Sequence, residues 1–384
     1  MCKIQCPRII IHNGLKKLII KNLSFSRSQK EDFAATVKKR VAEYFKSNSI
    51  SKYGSNQMVF KSITMLLLFL TPLALIILAP ISSPWIIFLL YIIAGIGMGG
   101  IGMGIMHDAI HGSYSKKKWF NTLMANTIIF TGASKEMWRL QHNVLHHSYT
   151  NIEDHDEDIA APPLFLRFSP NAPKNKLHRY QHLYAWFFYG LLTISWITTK
   201  DFMSLNRYYK MGLIQGKKNY RSYLLKIILL KLNFFTLVLV LPLIFSAAPT
   251  WAIVCAFLTM QFVTGFAISI VFQSAHVMPD VEFPTPNAEG KIDNERMVHQ
   301  LLTTANFAQK SKLLYWYLGG LTNQIEHHLF PNISHIHYKK IAPIVKKTAE
   351  EFGLPYVSNG SFFNAVGKHF GMLKKLGRME VKSA

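Results

Sequence analysis

The sequence predicts an all-α integral membrane protein: four transmembrane helices in two hairpins, interfacial helices and a cytoplasmic helical cap. Three observations carry that prediction. Four apolar runs approach the ~20 residues that a bilayer-spanning helix needs. Of the 384 residues 50% are hydrophobic and only 16% charged, whereas soluble domains carry nearer ~25% charged residues. The basic residues, finally, are segregated along the chain. A formal charge of +23 would suit either nucleic acid or an anionic membrane surface, and the apolar runs favour the membrane, so no nucleic acid partner is expected.

Residues 1–56 are polar and basic, with Lys38, Lys39 and Arg40 in an amphipathic pattern and no signal peptide. The first apolar run is Met65–Pro80; Ser82, Ser83 and Pro84 turn the chain into a second, Trp85–Met106. These make the first hairpin, with spans at about 62–80 and 85–106. The second hairpin joins spans 223–245 and 251–274 through a turn at Ser246–Thr250. Lys226 and Lys231 in its first arm are expected to snorkel to the interface. Two further stretches, Trp119–Ala133 and Leu183–Thr199, are too short or too rich in interfacial Trp and Tyr to span, and are read as helices at the membrane surface.

Neither hairpin turn contains Lys or Arg, while residues 1–56, 107–222 and 275–384 hold 12, 15 and 13 of the 43 basic residues. The positive-inside rule places those three stretches, and both termini, in the cytoplasm. No linker divides the chain, so it reads as an N-terminal basic segment (1–56), a membrane domain (57–345) and a basic C-terminal tail (346–384). Three cysteines, Cys2, Cys6 and Cys255, exclude a disulfide framework and a thiolate zinc or iron–sulfur site.

The histidines are the chemical signal. His107 and His111 form H-x-x-x-H as the second span ends; His142, His146 and His147 form H-x-x-x-H-H; Gln324, His327 and His328 form Q-x-x-H-H. The topology puts all three clusters on one side of the membrane. Residues four apart share a helix face, so His107/His111 and His142/His146 can converge on a metal. Adjacent histidines on an α-helix point about 100° apart, which suits two neighbouring ions better than one. Imidazole fits iron, zinc or copper, and seven histidines exceed the four ligands of a structural zinc site. Asp108 and Glu326 lie within the clusters and are expected behind the ligands, holding imidazoles in one tautomer. The acidic run Glu153, Asp154, Asp156, Glu157, Asp158 reads first as a solvated loop, with a dock for a basic patch or a supporting role behind ligands as alternatives. The isolated histidines His12, His155, His178, His182, His335, His337 and His369 are expected to be solvated.

HDAIHGSYS, QHNVLHHSYTNIEDHDEDI and GGLTNQIEHHLFPNISH closely resemble the three histidine boxes of membrane fatty acid desaturases, over roughly Ile92 to Ala342 including the hairpin–box–hairpin–box order. Gln324 in place of the first histidine of the third box resembles the front-end, linoleoyl-CoA (delta-6-like) branch. So does FQSAHVMPD, in which the family's further histidine ligand corresponds to His276. The resemblance implies a di-iron centre on eight histidines (His107, His111, His142, His146, His147, His276, His327 and His328), four per metal. Gln324 is then a weak or water-mediated ligand. It implies O2 as co-substrate, a fatty acyl-CoA or acyl-lipid substrate among membrane lipids, and a cis double bond as product. Many eukaryotic front-end relatives begin with a fused cytochrome b5 domain carrying His-Pro-Gly-Gly. That motif is not in this sequence, so haem is not expected in this chain and a separate ferredoxin- or cytochrome b5-type electron donor is. His299, in MVHQLLTTANF, lies in a stretch that resembles one shared by front-end relatives. A hydroxylase or sphingolipid desaturase on the same scaffold stays open, and a metal transporter more remotely. The glycines from Gly95 to Gly104 mimic a dinucleotide fingerprint, but inside a span they suit close helix packing, or, more weakly, room for an acyl chain.

Overall fold

The computed structural model describes residues 23–26, 32–160 and 162–380; Cys2, Cys6 and His12 lie outside them. Helix α1 (Phe33–Ser47) starts at an Asp32 cap whose side chain accepts from the Ala35 amide at 2.9 Å, and it buries Phe33, Ala34, Val37 and Val41 along one face. The first long apolar helix, α2 (Asn56–Leu78), begins at a Ser55 cap, earlier than the sequence suggests, and so takes Lys61 into its buried face. After the turn, Pro84 opens α3 (Pro84–Ile110) at a position where its missing N–H is harmless. α3 continues past the expected end at residue 106 and carries His107 within the helix itself.

Beyond it lie α4 (Lys118–Ala125) and α5 (residues 135–149), then α6 (Gln181–Gly190) and α7 (Asp201–Lys210). The second pair of long apolar helices is α8 (Lys217–Phe245) and α9 (Thr250–His276). The rest is short or amphipathic: α10 (Arg296–Leu302), α11 (Gln324–Leu329), α12 (Tyr338–Glu351) and α13 (Phe362–Arg378). Two residues, Ser24–Phe25, pair in parallel with Lys291–Ile292.

The four long helices differ in burial. α3 is 67% buried against its neighbours and α8 only 28%, with Leu225, Ile228, Leu229 and Leu232 exposed on α8 as a lipid-facing side would be. The glycines of α3 explain its central place. A Cβ at Gly97 would strike the α2 backbone at Leu68 and Phe69, and one at Gly95 would crowd Met260 of α9. They serve close packing, as small residues do between membrane helices.

Three expectations are corrected here. Lys231 does not snorkel: its buried Nζ reaches inward to the Gly132 carbonyl at 2.6 Å, to the Trp196 carbonyl and to the Asp201 carboxylate. An ammonium that finds a carboxylate and two carbonyls need not reach water, and it pins α8 to α7. The stretch after residue 345 is not simply a tail. It completes α12, which packs on α1, and then forms α13, whose His369, Met372, Leu373 and Leu376 are buried, with Tyr189 of α6 in the same cluster as its apolar residues. Most isolated histidines are buried: His178, His182, His335, His337 and His369 all are, and only His155 of the described ones is partly open. His182 packs edge-on against Phe370, and His369 accepts from the Tyr189 hydroxyl at 2.6 Å and donates Nδ1–H to the Val277 carbonyl at 2.8 Å.

Candidate metal centre

The histidines of the three boxes meet at one end of the long helices. His107, His111, His142 and His327 each offer a ring nitrogen within 4.8 Å of the others, and His146, His276 and His328 form a second such group. His147 stands between them. Its Nε2 lies 3.0 Å from Nε2 of His327 and 3.2 Å from Nε2 of His142, and its ring stacks on His328 at 4.4 Å.

Backbone geometry explains how so many rings converge. α3 is π-helical over Ile101–Met106, just before His107, and α5 is π-helical over Leu140–His146. In a π turn the hydrogen bonds run i→i+5, which brings residue i+5 beneath residue i. His142 therefore shares a face with His147 as well as with His146, at ring separations of 4.6 and 5.2 Å. The expectation that adjacent histidines diverge by ~100° assumed an unbroken α-helix. It describes His327 and His328 on α11, which join the first and second groups respectively and meet only through His147; His146 and His147 sit on a widened turn and both face the centre. The third box is delivered by two glycines in the left-handed region, Gly319 and Gly320. A Cβ on Gly319 would collide with the Met103 carbonyl of α3, so only glycine lets this loop lie on the helix that carries His107.

Behind the rings, the Nδ1 atoms are held from outside. His146 meets Asp156 at 2.9 Å, His142 meets Asp158 at 3.4 Å, and His328 meets the Gln300 amide oxygen at 2.7 Å. His276 meets the Thr303 carbonyl at 3.3 Å and His327 the Tyr338 hydroxyl at 3.2 Å. An Nδ1–H given to a carboxylate or carbonyl leaves Nε2 as a lone pair, the form a metal requires. Burial pushes His142 down to about 3 despite Asp158. Burial also disfavours His146 as a cation, but Asp156 and Asp158 outweigh it and hold this ring up at about 9.

The fit to metal ions rests on these atoms. Nε2 of His111, His146, His276 and His328 is buried without any hydrogen-bond partner, and the remaining Nε2 atoms crowd one another at 3.0–3.2 Å. Buried lone pairs left facing each other are destabilising unless a cation lies among them.

The comparisons with known proteins follow this geometry. The profile of the family described as Fatty acid desaturase matches residues 83–360. The chain belongs to the fatty acid desaturase family. It is 36% identical over 94% of its length to an acyl-lipid (8-3)-desaturase of Physcomitrium patens, covering 75% of that protein. It is 34% identical to an sn-1 linoleoyl-lipid 6-desaturase of Arthrospira platensis and 32% identical to one of a Synechocystis strain. Those alignments span 90% and 91% of this chain, and 92% and 97% of the relatives. The chain is therefore an oxidoreductase that introduces double bonds into fatty acyl chains.

Of the two carboxylates that sequence proximity placed behind the desaturase's ligands, Asp108 lies against a box histidine and Glu326 does not. Glu326 reaches no imidazole; it is buried and accepts from Tyr356 at 2.7 Å and from Asn306 and Asn323 at 3.0 Å, which anchors α11. Asp108 is 4.0 Å from His107 Nδ1, and its Oδ2 binds the Ser334 hydroxyl at 2.9 Å and the His335 ring at 3.0 Å, tying the first box to the loop after the third. The residues that do hold imidazoles were legible only in part: Asp156 and Asp158 belong to the acidic run, while Gln300, Thr303 and Tyr338 carry no local signal of that role. His299 is buried beside Phe25 and joins neither histidine group. Gln324 is fully buried with both amide atoms unpartnered, one turn before His327 and His328.

Proposed function

We propose that this desaturase is a front-end enzyme that uses O2 and two histidine-held iron ions to place a cis double bond in the acyl chain of a membrane lipid. The observation that carries the reading is the eight-histidine centre with its lone pairs turned inward. His107, His111, His142 and His327 would hold one iron, and His146, His276 and His328 the other. His147 lies between the two sets, and Gln324 is available as a weak or water-bridged ligand. Bound iron would supply the oxygen chemistry that removes hydrogens from unactivated methylenes, which acid–base side chains cannot do. The balance is two hydrogens lost from the chain, O2 reduced to two waters, and two electrons and two protons supplied from outside.

The protein's own residues position the acyl chain and keep water out. Trp138 stacks on His142 at 4.3 Å and packs in one apolar cluster with Met103, Met106, Ile128 and Ile268 between the long helices and the histidines. A Cβ at Gly102 would already touch Thr131 and Ile268 at ordinary van der Waals distance, 3.8 and 3.9 Å, so this glycine lies against that apolar cluster. The acyl-lipid substrate is favoured by the names of the relatives, which act on acyl lipids. The charge segregation supports four spans with both termini and the centre on the cytoplasmic side, and electrons would come from a separate carrier.

Expression in a host that makes no polyunsaturates, fed linoleate, tests the reading. A new double bond between the carboxyl end and the existing one, found in glycerolipid before acyl-CoA and lost in His327→Ala, is the expected result. About two irons per purified chain should accompany it. A hydroxylated product, or zinc alone in active protein, would overturn the assignment.

A further inference from the structure

Lys61 is a cation held inside the long helices. It sits in the second turn of α2, where Phe60 and Ile63 are exposed, yet its own side chain is buried. The ammonium lies against α3 in the space left by Gly104, three residues before His107: a Cβ there would come within 2.5 Å of Nζ. Nζ donates to Nε2 of His335 at 3.3 Å and stands 5.8 Å from the centre of the Trp316 ring. An ionisable group inside an apolar helix costs free energy unless it is partnered, and is read first as functional.

The contact continues to the first box. Nδ1 of His335 faces Oδ2 of Asp108 at 3.0 Å, and the same oxygen accepts from the Ser334 hydroxyl at 2.9 Å and from the His335 amide at 3.1 Å. Burial pushes the His335 ring below its ordinary value; Asp108 opposes that and Lys61 adds to it. A neutral ring therefore stands between ammonium and carboxylate, its Nε2 accepting from the lysine and its Nδ1 side turned to the aspartate. The carboxylate is drawn to the segment after α11 and away from His107, whose Nδ1 lies 4.0 Å from Oδ1 and makes no hydrogen bond. In the second group the matching distance, from His146 to Asp156, is 2.9 Å. The two differ by little enough for a turn of the Asp108 side chain to close the gap.

We propose that Lys61 is a positioning residue for the first metal position: acting through His335, it holds the Asp108 carboxylate off His107 and so keeps that position exchangeable. This rests on the two-ion reading above. With Lys61 in place, His107 lacks the outer carboxylate that steadies a ligand imidazole. Without it, both the freed carboxylate and the lost positive charge favour a bound cation. A lysine that merely packed α2 on α3 would act in the opposite direction, because its loss would loosen the box.

The test uses the full chain in zwitterionic nanodiscs, stripped of metal and titrated with Co2+, whose visible absorption reports the ligands of each ion. The binding step lost in His111→Gln marks the first position. Lys61→Met should tighten that step by about tenfold and shift its absorption, leaving the other step unchanged. His335→Phe keeps a ring but removes both nitrogens; it should act in the same direction, and it carries the test if Lys61→Met folds poorly. In an Asp108→Asn background Lys61→Met should have no effect on affinity, since residues that act through one another are not additive. Weakened or unchanged Co2+ binding at the first position would make the lysine a packing support and overturn the proposal. So would tightening that persists with Asp108→Asn, which would leave only the charge of the lysine. Failure of the two-ion reading shows elsewhere, in a wild-type chain that takes up only one Co2+.

Discussion

The two histidine groups are held differently. In the second, every ring has an outer partner: His146 has Asp156, His276 the Thr303 carbonyl and His328 Gln300. In the first, His142 leans on Asp158 at 3.4 Å and His327 on a Tyr338 hydroxyl, while Nδ1 of His107 makes no hydrogen bond and has only the Asp108 carboxylate at 4.0 Å. Oriented imidazoles bind metal more tightly than free ones, because outer hydrogen bonds fix tautomer and ring angle before the ion arrives. The difference teaches that the two groups are not equivalent: on the proposed two-ion reading, the second would retain its ion and the first would exchange it more readily.

The comparison can be broken most directly at Asp156. Asp156→Ala should weaken metal binding at the second group by roughly 10–100-fold, leaving one ion per chain by elemental analysis where, on the proposed reading, the wild type would hold two. Gln300→Leu, which removes the acceptor from His328, should lower affinity at the same position by about tenfold, and Gln300→Glu should restore much of it. Loss of the first ion instead, in either variant, would reverse the ranking.

Acid offers a milder route. His369 braces the second group from outside by donating to the carbonyl of Val277, the residue after His276, and burial pushes its ring down to about 4. The unfolded ring titrates near ~6.5, so the stability it contributes is present above that pH and fades as pH falls from there through about 4. The amount is on the order of a few kcal/mol. Thermal unfolding followed from pH 7 to pH 4 should fall faster in wild type than in His369→Gln. The smallest effect is expected at the first group: Tyr338→Phe removes a single hydroxyl at 3.2 Å and should change metal affinity by less than about threefold.

Much of this was legible in the sequence. The apolar runs and the spacing of His107, His111, His142, His146, His147, His327 and His328 are local patterns, and His276 followed from resemblance in FQSAHVMPD. What was not legible depends on distance along the chain. Glu326 looked like the partner of neighbouring imidazoles because it sits next to them, yet side chains adjacent on a helix point apart, and it turns away to Tyr356, Asn306 and Asn323. Gln300 and Tyr338 come to the rings only through tertiary packing. The π turn through the second box was hidden too, since hydrogen-bond register leaves no periodic trace in seven residues. Lys231 and the isolated histidines were misjudged for a common reason: a polar residue in an apolar or loop setting reads as exposed until a partner such as Asp201 or Tyr189 is folded against it.

The packing of α1 on α12, with Arg40 bonded to Glu351 at 2.6 Å and to Thr348 at 3.0 Å, has a consequence for biogenesis. One partner is made near the start of translation and the other near its end, and all four spans lie between them. α1 and α12 can therefore pack together only after the four long apolar helices between them have been made. Chains cut short before residue 351 would leave the buried face of α1, with Phe33, Val37 and Val41, without its α12 partner.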